Sequence, residues 1–189
     1  SFGPADEAQR IVNRVKAVHV KVNGVASDGR NYSATDPHLL KWVHIAEIDS
    51  FLHTYQKFSR APLDQTGRDG YVKDAAFVAR AVGVIDPPET EAQLREMINS
   101  YRPELKSTRE SRDATKYLFF KPPLPGAAKI PYWLLMVATV STLPAWARIP
   151  LRVGYLPVIE QVFFRPLGYL MTSAIRWITT TPIDKSSDA

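Results

Sequence analysis

Four histidines, His19, His38, His44 and His53, fall in the N-terminal third of a 189-residue chain that contains no cysteine. An imidazole can bind a metal, move a proton or hold a hydrogen bond, so its surroundings decide its chemistry. The lack of cysteine removes disulfides, zinc–thiolate sites, iron–sulfur clusters, a thiolate haem ligand and a cysteine nucleophile. Any metal chemistry must then use His, Asp, Glu, Tyr or Lys. His38, His44 and His53 are spaced so that they fall on different faces of one helix. The one-turn histidine pair of an HExxH zinc site is therefore missing, and a three-histidine zinc site from this helix alone is excluded. Neither a Gly-x-Ser-x-Gly nucleophile elbow nor a glycine-rich phosphate loop occurs.

His44 ends the run Thr35-Asp36-Pro37-His38-Leu39-Leu40-Lys41-Trp42-Val43-His44. Asp36 is suited to cap a helix N-terminus, and Pro37 sits where a missing N–H costs nothing. The helix then carries His44 one turn after Leu40 and two turns before Phe51, on an apolar face shared with Val43. A buried imidazole needs a partner: a carboxylate, a backbone carbonyl or a metal. A single imidazole on a long apolar helix also suits a haem pocket, which needs one axial nitrogen and apolar walls. Glu47, one turn on, is a candidate to orient the ring. On pattern alone the plain reading of His44 is a hydrogen-bonded core residue, and that of His19 a core-edge residue. Arg10, Arg14 and Lys16 read as solvated helix charges, although Arg14 turned inward would meet a propionate or carboxylate.

The elements that position these residues are helical throughout. Ile11, Val12, Val15, Val18 and Val22 mark an amphipathic helix over about residues 6–22, closed by Gly24 and the turn Ser27-Asp28-Gly29-Arg30. A helix over about 37–58 is apolar nearly all round, which argues for a buried position and obliges His44, Glu47, Asp49 and His53 to find internal partners. A third helix is expected over about 69–82, ending at Gly83. Asp86-Pro87-Pro88 is a rigid turn, and Thr90-Glu91-Ala92-Gln93 a capping box opening a helix through Tyr101. Another helix is expected from Glu104 to Phe120, followed by an extended linker, Lys121-Pro122-Pro123-Leu124-Pro125-Gly126. Residues 130–149 approach the length of a membrane span. Pro144 and Arg148 favour a core helix with a proline break. A last helix is expected over about 165–177, with Arg176-Trp177 packing it, and a disordered tail over 182–189. No useful β-type alternation appears. The fold class is all-α.

With 45% hydrophobic and 23% charged residues, the chain has the composition of a globular domain with a real core. The net charge of +5 is spread along it without an RNP-like or zinc-finger pattern, so no nucleic-acid partner is expected. The opening Ser1-Phe2-Gly3-Pro4 has neither a charged n-region nor an apolar h-region. It also lacks an initiator methionine, and the expectation is a chain that begins inside a longer, cytoplasmic protein.

Taken together, several runs resemble one family. They are Arg14-Val15-Lys16-Ala17-Val18-His19, Gly24, Asp28 to Pro37, and Leu40-Lys41-Trp42-Val43-His44. Tyr101-Arg102-Pro103-Glu104-Leu105, Leu143-Pro144-Ala145-Trp146-Ala147-Arg148 and Arg165-Pro166 with Arg176-Trp177 extend the likeness over most of the chain. Their combination is similar to the MpaB / latex-clearing (rubber oxygenase) catalytic domain, especially its actinobacterial branch. The resemblance implies a globin-like, all-helical single domain of about seven helices over residues 1–181. It implies haem b as cofactor, and O2 used to cleave carbon–carbon double bonds of a hydrophobic or polyisoprenoid substrate. Under it, His44 is the proximal iron ligand. His19 is the competitor, lining the distal side or bonding a propionate, and Arg14 and Lys16 lie near the haem to position bound oxygen. Family members usually carry a further segment before this point, so the chain is expected to be a fragment. Two rivals stand beside this reading: a non-catalytic helical scaffold without haem, and a membrane-associated protein, either peripheral or with its apolar segment inserted.

Overall fold

The structure, a computed structural model, describes residues 5–122 and 124–153, and beyond them only positions 162, 166, 168–170 and 172–173. Its elements are α1 (Ala5–His19), β1 (Asn23–Val25), β2 (Asn31–Ser33), α2 (Pro37–Phe58), α3 (Gln65–Val82), α4 (Glu91–Tyr101), α5 (Arg109–Phe120), α6 (Lys129–Thr142) and α7 (Ala145–Leu151). Single 3-10 turns occupy Arg102–Glu104 and Gly126–Ala128. The fold is all-α, as the sequence periodicity requires. The helix expected over 165–177 lies largely outside the described residues, although positions 166, 168–170 and 172–173 are helical. Arg176-Trp177 and the tail lie outside them altogether.

Boundaries move where local chemistry outweighs periodicity. Helix α1 stops at His19 rather than running to Val22, because the chain turns into a short antiparallel hairpin pairing Asn23 with Ser33 and Val25 with Asn31. Gly24 therefore ends no helix. It lies opposite Tyr32, whose exposed ring rests over it: a Cβ there would sit 2.8 Å from the Tyr32 hydroxyl and push that ring aside. Helix α3 begins at Gln65, four residues earlier than the periodicity places it, because the Asp64 side chain accepts from the Gly67 N–H. Helix α5 begins only at Arg109, where Thr108 provides the cap by accepting from Ser111 N–H. The α2 cap is as expected, with Asp36 accepting from His38 and Leu39 N–H groups. At α4 the box is shifted: Thr90 accepts from Gln93 N–H, while the Gln93 side chain accepts from Glu89 N–H instead of the cap residue. Gly83 closes α3 at φ +112°, a conformation in which L side chains are strained.

The chain divides into two compact units, Ser1–Leu105 and Lys106–Ala189. In the first, α2 packs on α3 and α4, and α1 packs on α3. Ile45, Ile48 and Leu52 supply the buried stripe of α2, Val72, Ala76 and Ala79 that of α3, and Leu94, Ile98 and Tyr101 that of α4. Each stripe follows the three-to-four residue spacing of one helix face. Ile45, Val72 and Leu94 are almost wholly enclosed, each contributing roughly 1.5–3 kcal/mol of transfer free energy. The other side of α2 is not covered: Val43 and Phe51 are exposed and Tyr55 is half so. That corrects the expectation of a helix buried all round. Polar ties finish the joints. Gln56 both donates to and accepts from the backbone of Leu63, and the Arg68 guanidinium pairs with Glu91 at 2.8 Å, joining α3 to α4.

In the second unit α5 packs on α7. Ala138, Val140 and Ser141 of α6 are buried, as is Arg148 of α7, whose Nε donates to the Leu143 carbonyl. Among the described residues no single helix is long and apolar enough to cross a membrane. Helices α6 and α7 reach that length and composition only together, and they bend by 119° at their junction.

Candidate functional site

Helix α2 carries a clear polar anomaly. The His44 Nε2 is buried and, among the described residues, has no hydrogen-bond partner. Burial pushes the His44 pKa below its ordinary value, so the ring is neutral at physiological pH and one nitrogen keeps a free lone pair. An unsatisfied buried nitrogen costs stability, and native proteins rarely keep one without a use. Of the partners expected from sequence, carboxylate and carbonyl are both absent at this atom.

Two turns along α2 from His44, which does not line it, an open groove of about 600 Å³ lies between α2 and α3. Phe51, Leu52 and Tyr55 line it from α2, and Gly67, Gly70 and Tyr71 from α3. His44 precedes Phe51 by two turns, about 10 Å of helix rise. The two glycines leave gaps in an α3 wall that Tyr71 and Asp74 complete, and at Gly70 a Cβ would meet open space. Burial raises the Tyr71 pKa, and the negative charge of Glu47 raises it further, so the phenol stays protonated beside the His44–Glu47 turn. Asp49, also on α2, has its pKa raised by burial, with His53 and Arg95 opposing the shift.

The other sequence candidates sit on α1. Arg14 and Lys16 are exposed, and His19 is half-buried at the last turn. Among the described residues no side-chain hydrogen bond or ion pair joins any of the three to His44. Nor do three His, Asp or Glu residues assemble into a metal-ion cluster among them.

Sequence reasoning passed over a second cluster. The His38 ring stacks on Tyr101 at 4.4 Å, its Nε2 lies 2.8 Å from Glu104, and Trp42 also stacks on Tyr101, at 5.6 Å. With Arg30 and Tyr32 of the hairpin they border a cleft of about 400 Å³. The signal was present, since His38 and Trp42 lie one turn apart. Their partners come from 60 or so residues away, a contact that helix periodicity does not reveal.

These features define a helical protein in which one helix, α2, carries a buried, unpartnered imidazole nitrogen and, two turns further on, one wall of an apolar groove. The chain matches the ER-bound oxygenase mpaB/B′/rubber oxygenase catalytic-domain family over residues 1–173. It belongs to that family, and so to a family of oxygenase catalytic domains. No curated protein and no solved structure matches it.

Proposed function

We propose that the chain is a haem-binding oxygenase domain that uses O2 on a lipophilic, isoprenoid-like alkene, with His44 as the residue that would hold the haem iron. The observation that carries this reading is the buried, partnerless Nε2 of His44. A neutral imidazole with a free lone pair is the donor that haem iron takes, and one such nitrogen suffices because the porphyrin supplies the rest. When bound, haem b would supply activation of dioxygen for cleavage of a carbon–carbon double bond.

The chain's own residues do the remaining work. Phe51, Leu52 and Tyr55 offer an apolar wall that would align an extended hydrocarbon and exclude water. The protonated Tyr71 phenol can donate a hydrogen bond to a polar group that enters that groove. Arg14 and His19 on α1 are candidates to pair with haem propionates, and Lys16 with Arg14 to position oxygen. The rival reading, a helical scaffold that lacks haem, predicts the same fold and no cofactor.

Absorbance of the purified protein decides between them. A Soret band that disappears in His44→Ala and survives in His19→Ala supports the assignment. A band that survives His44→Ala moves the iron ligand elsewhere. Failure of the unaltered protein to take up hemin leaves the scaffold.

A further inference from the structure

The second unit carries a surface that the oxygenase reading does not use. Between Asp113 and Glu160 the sequence has no acidic residue, while Lys116, Lys121, Lys129, Arg148 and Arg152 all fall inside that stretch. Its apolar side chains are not all tucked away. Phe120, at the end of α5, is 70% exposed, and Ile130 and Trp133, in the first turns of α6, are 71% and 40% exposed. The Phe120 and Trp133 rings meet edge to face at 6.3 Å, so the end of α5 and the start of α6 form one patch. Lys116 lies one turn before Phe120 on the same face of α5, Lys121 follows it, and Lys129 lies one turn before Trp133. The nearest acid, Asp113, is already met by Lys116 and Arg109. Among the described residues no carboxylate pairs with Lys121 or Lys129. A soluble surface rarely leaves two aromatics and an isoleucine together in water.

We propose that this α5–α6 turn docks the chain on an anionic phospholipid bilayer. Phe120, Ile130 and Trp133 enter the interfacial layer, and Lys116, Lys121 and Lys129 meet the lipid phosphates. Aromatic rings favour the headgroup region, where one face is apolar and the other wet. Lysine stems lie along the apolar surface while their ammonium groups reach the phosphates. Charge selects the occupant: a cationic rim whose one nearby acid, Asp113, is already paired with Lys116 and Arg109 complements an anionic membrane and repels a second copy of itself. The proposal is independent of haem and of His44.

The test uses the full chain and vesicles of phosphatidylcholine, either alone or with one-third phosphatidylglycerol. Co-sedimentation is expected with the anionic vesicles only and is expected to weaken as salt is raised. The triple change Lys116→Gln, Lys121→Gln and Lys129→Gln, all at exposed positions, is expected to lower the partition coefficient about a hundredfold. Brominated lipid should quench tryptophan fluorescence, and Trp133→Phe should remove most of that quenching while circular dichroism stays unchanged. Equal binding to both vesicle types, wild-type binding by the triple variant, or quenching untouched by Trp133→Phe would each overturn the proposal. So would a Phe120→Ser variant that breaks up a lipid-free dimer but still binds vesicles, since the patch would then be a contact between copies.

Discussion

Tyr101 and His38 are joined twice. Their rings stack at 4.4 Å, and the Tyr101 hydroxyl donates to the His38 backbone carbonyl at 3.0 Å. Tyr101 ends α4 and His38 opens α2, so this one side chain fixes the start of the helix that carries His44. The carbonyl it reaches is in the first turn, where the α2 backbone is most easily pulled out of line.

Tyr101→Phe keeps the stack and loses the hydrogen bond, and is expected to cost about 1 kcal/mol. Tyr101→Ala also removes the buried ring, for a cost of about 3–5 kcal/mol. Urea unfolding of the two variants separates the terms: the midpoint falls modestly in the first and steeply in the second. Equal losses would mean that the ring contributes nothing to docking α4 on α2.

Arg68 makes the corresponding joint between α3 and α4. Its guanidinium donates to Glu91, to the Leu63 carbonyl and to Gln65, and it holds the Glu91 carboxyl below the usual range. Because the folded pKa lies below the unfolded value, this stability is present at neutral pH and is lost as pH falls from about 4.5 through the folded value. Arg68→Ala is expected to cost about 2 kcal/mol at neutral pH. Glu91→Gln should flatten that part of the acid-unfolding curve, and an unchanged curve would show the pair to be idle.

His44 and Asp49 act in opposite senses. Burial lowers the His44 pKa, so below about 6.5 the unfolded chain takes up a proton that the folded chain resists. The cofactor-free protein should therefore lose stability as pH drops from that value, and His44→Leu should remove the loss. Burial raises the Asp49 pKa, so stability falls as pH climbs from the unfolded value of about 3.8 through the folded one. Asp49→Asn is expected to be more stable than the wild type at neutral pH. Thermal melts across pH 4–8 check both signs.

Much of this was legible in the residues. Asp36 before Pro37 announced the α2 start, Thr90 the α4 start and Gly83 the α3 end, because caps are local and their chemistry is written in adjacent positions. His44 could be singled out for the same reason: its face is set by helix spacing alone. The lack of a partner for its Nε2 could not, since that depends on what residues distant in sequence fail to supply. The uncovered side of α2 was misread because Val43, Phe51 and Tyr55 are apolar by type, and composition does not report which side the neighbours occupy. The hairpin escaped because three-residue strands show no measurable alternation.

Gly70 tests whether the groove belongs to the site. It lies inside α3, is exposed, and has open space where a Cβ would go. Gly70→Ala is therefore expected to stabilise the helix by about 1 kcal/mol, a melting-temperature rise of about 2–4 °C. Gly67→Ala should gain less, because its Cβ would lie 3.1 Å from Leu63 and 3.2 Å from the capping Asp64 oxygen. Gly70→Leu keeps most of the helix gain but fills the groove opposite Phe51 and Tyr55. If an isoprenoid chain lies there, KM should rise for long substrates and change little for short ones, in a protein that melts no lower than wild type. A Leu variant with wild-type KM for every chain length would place the substrate path away from the α2–α3 groove, and would do so without touching the ligand role of His44.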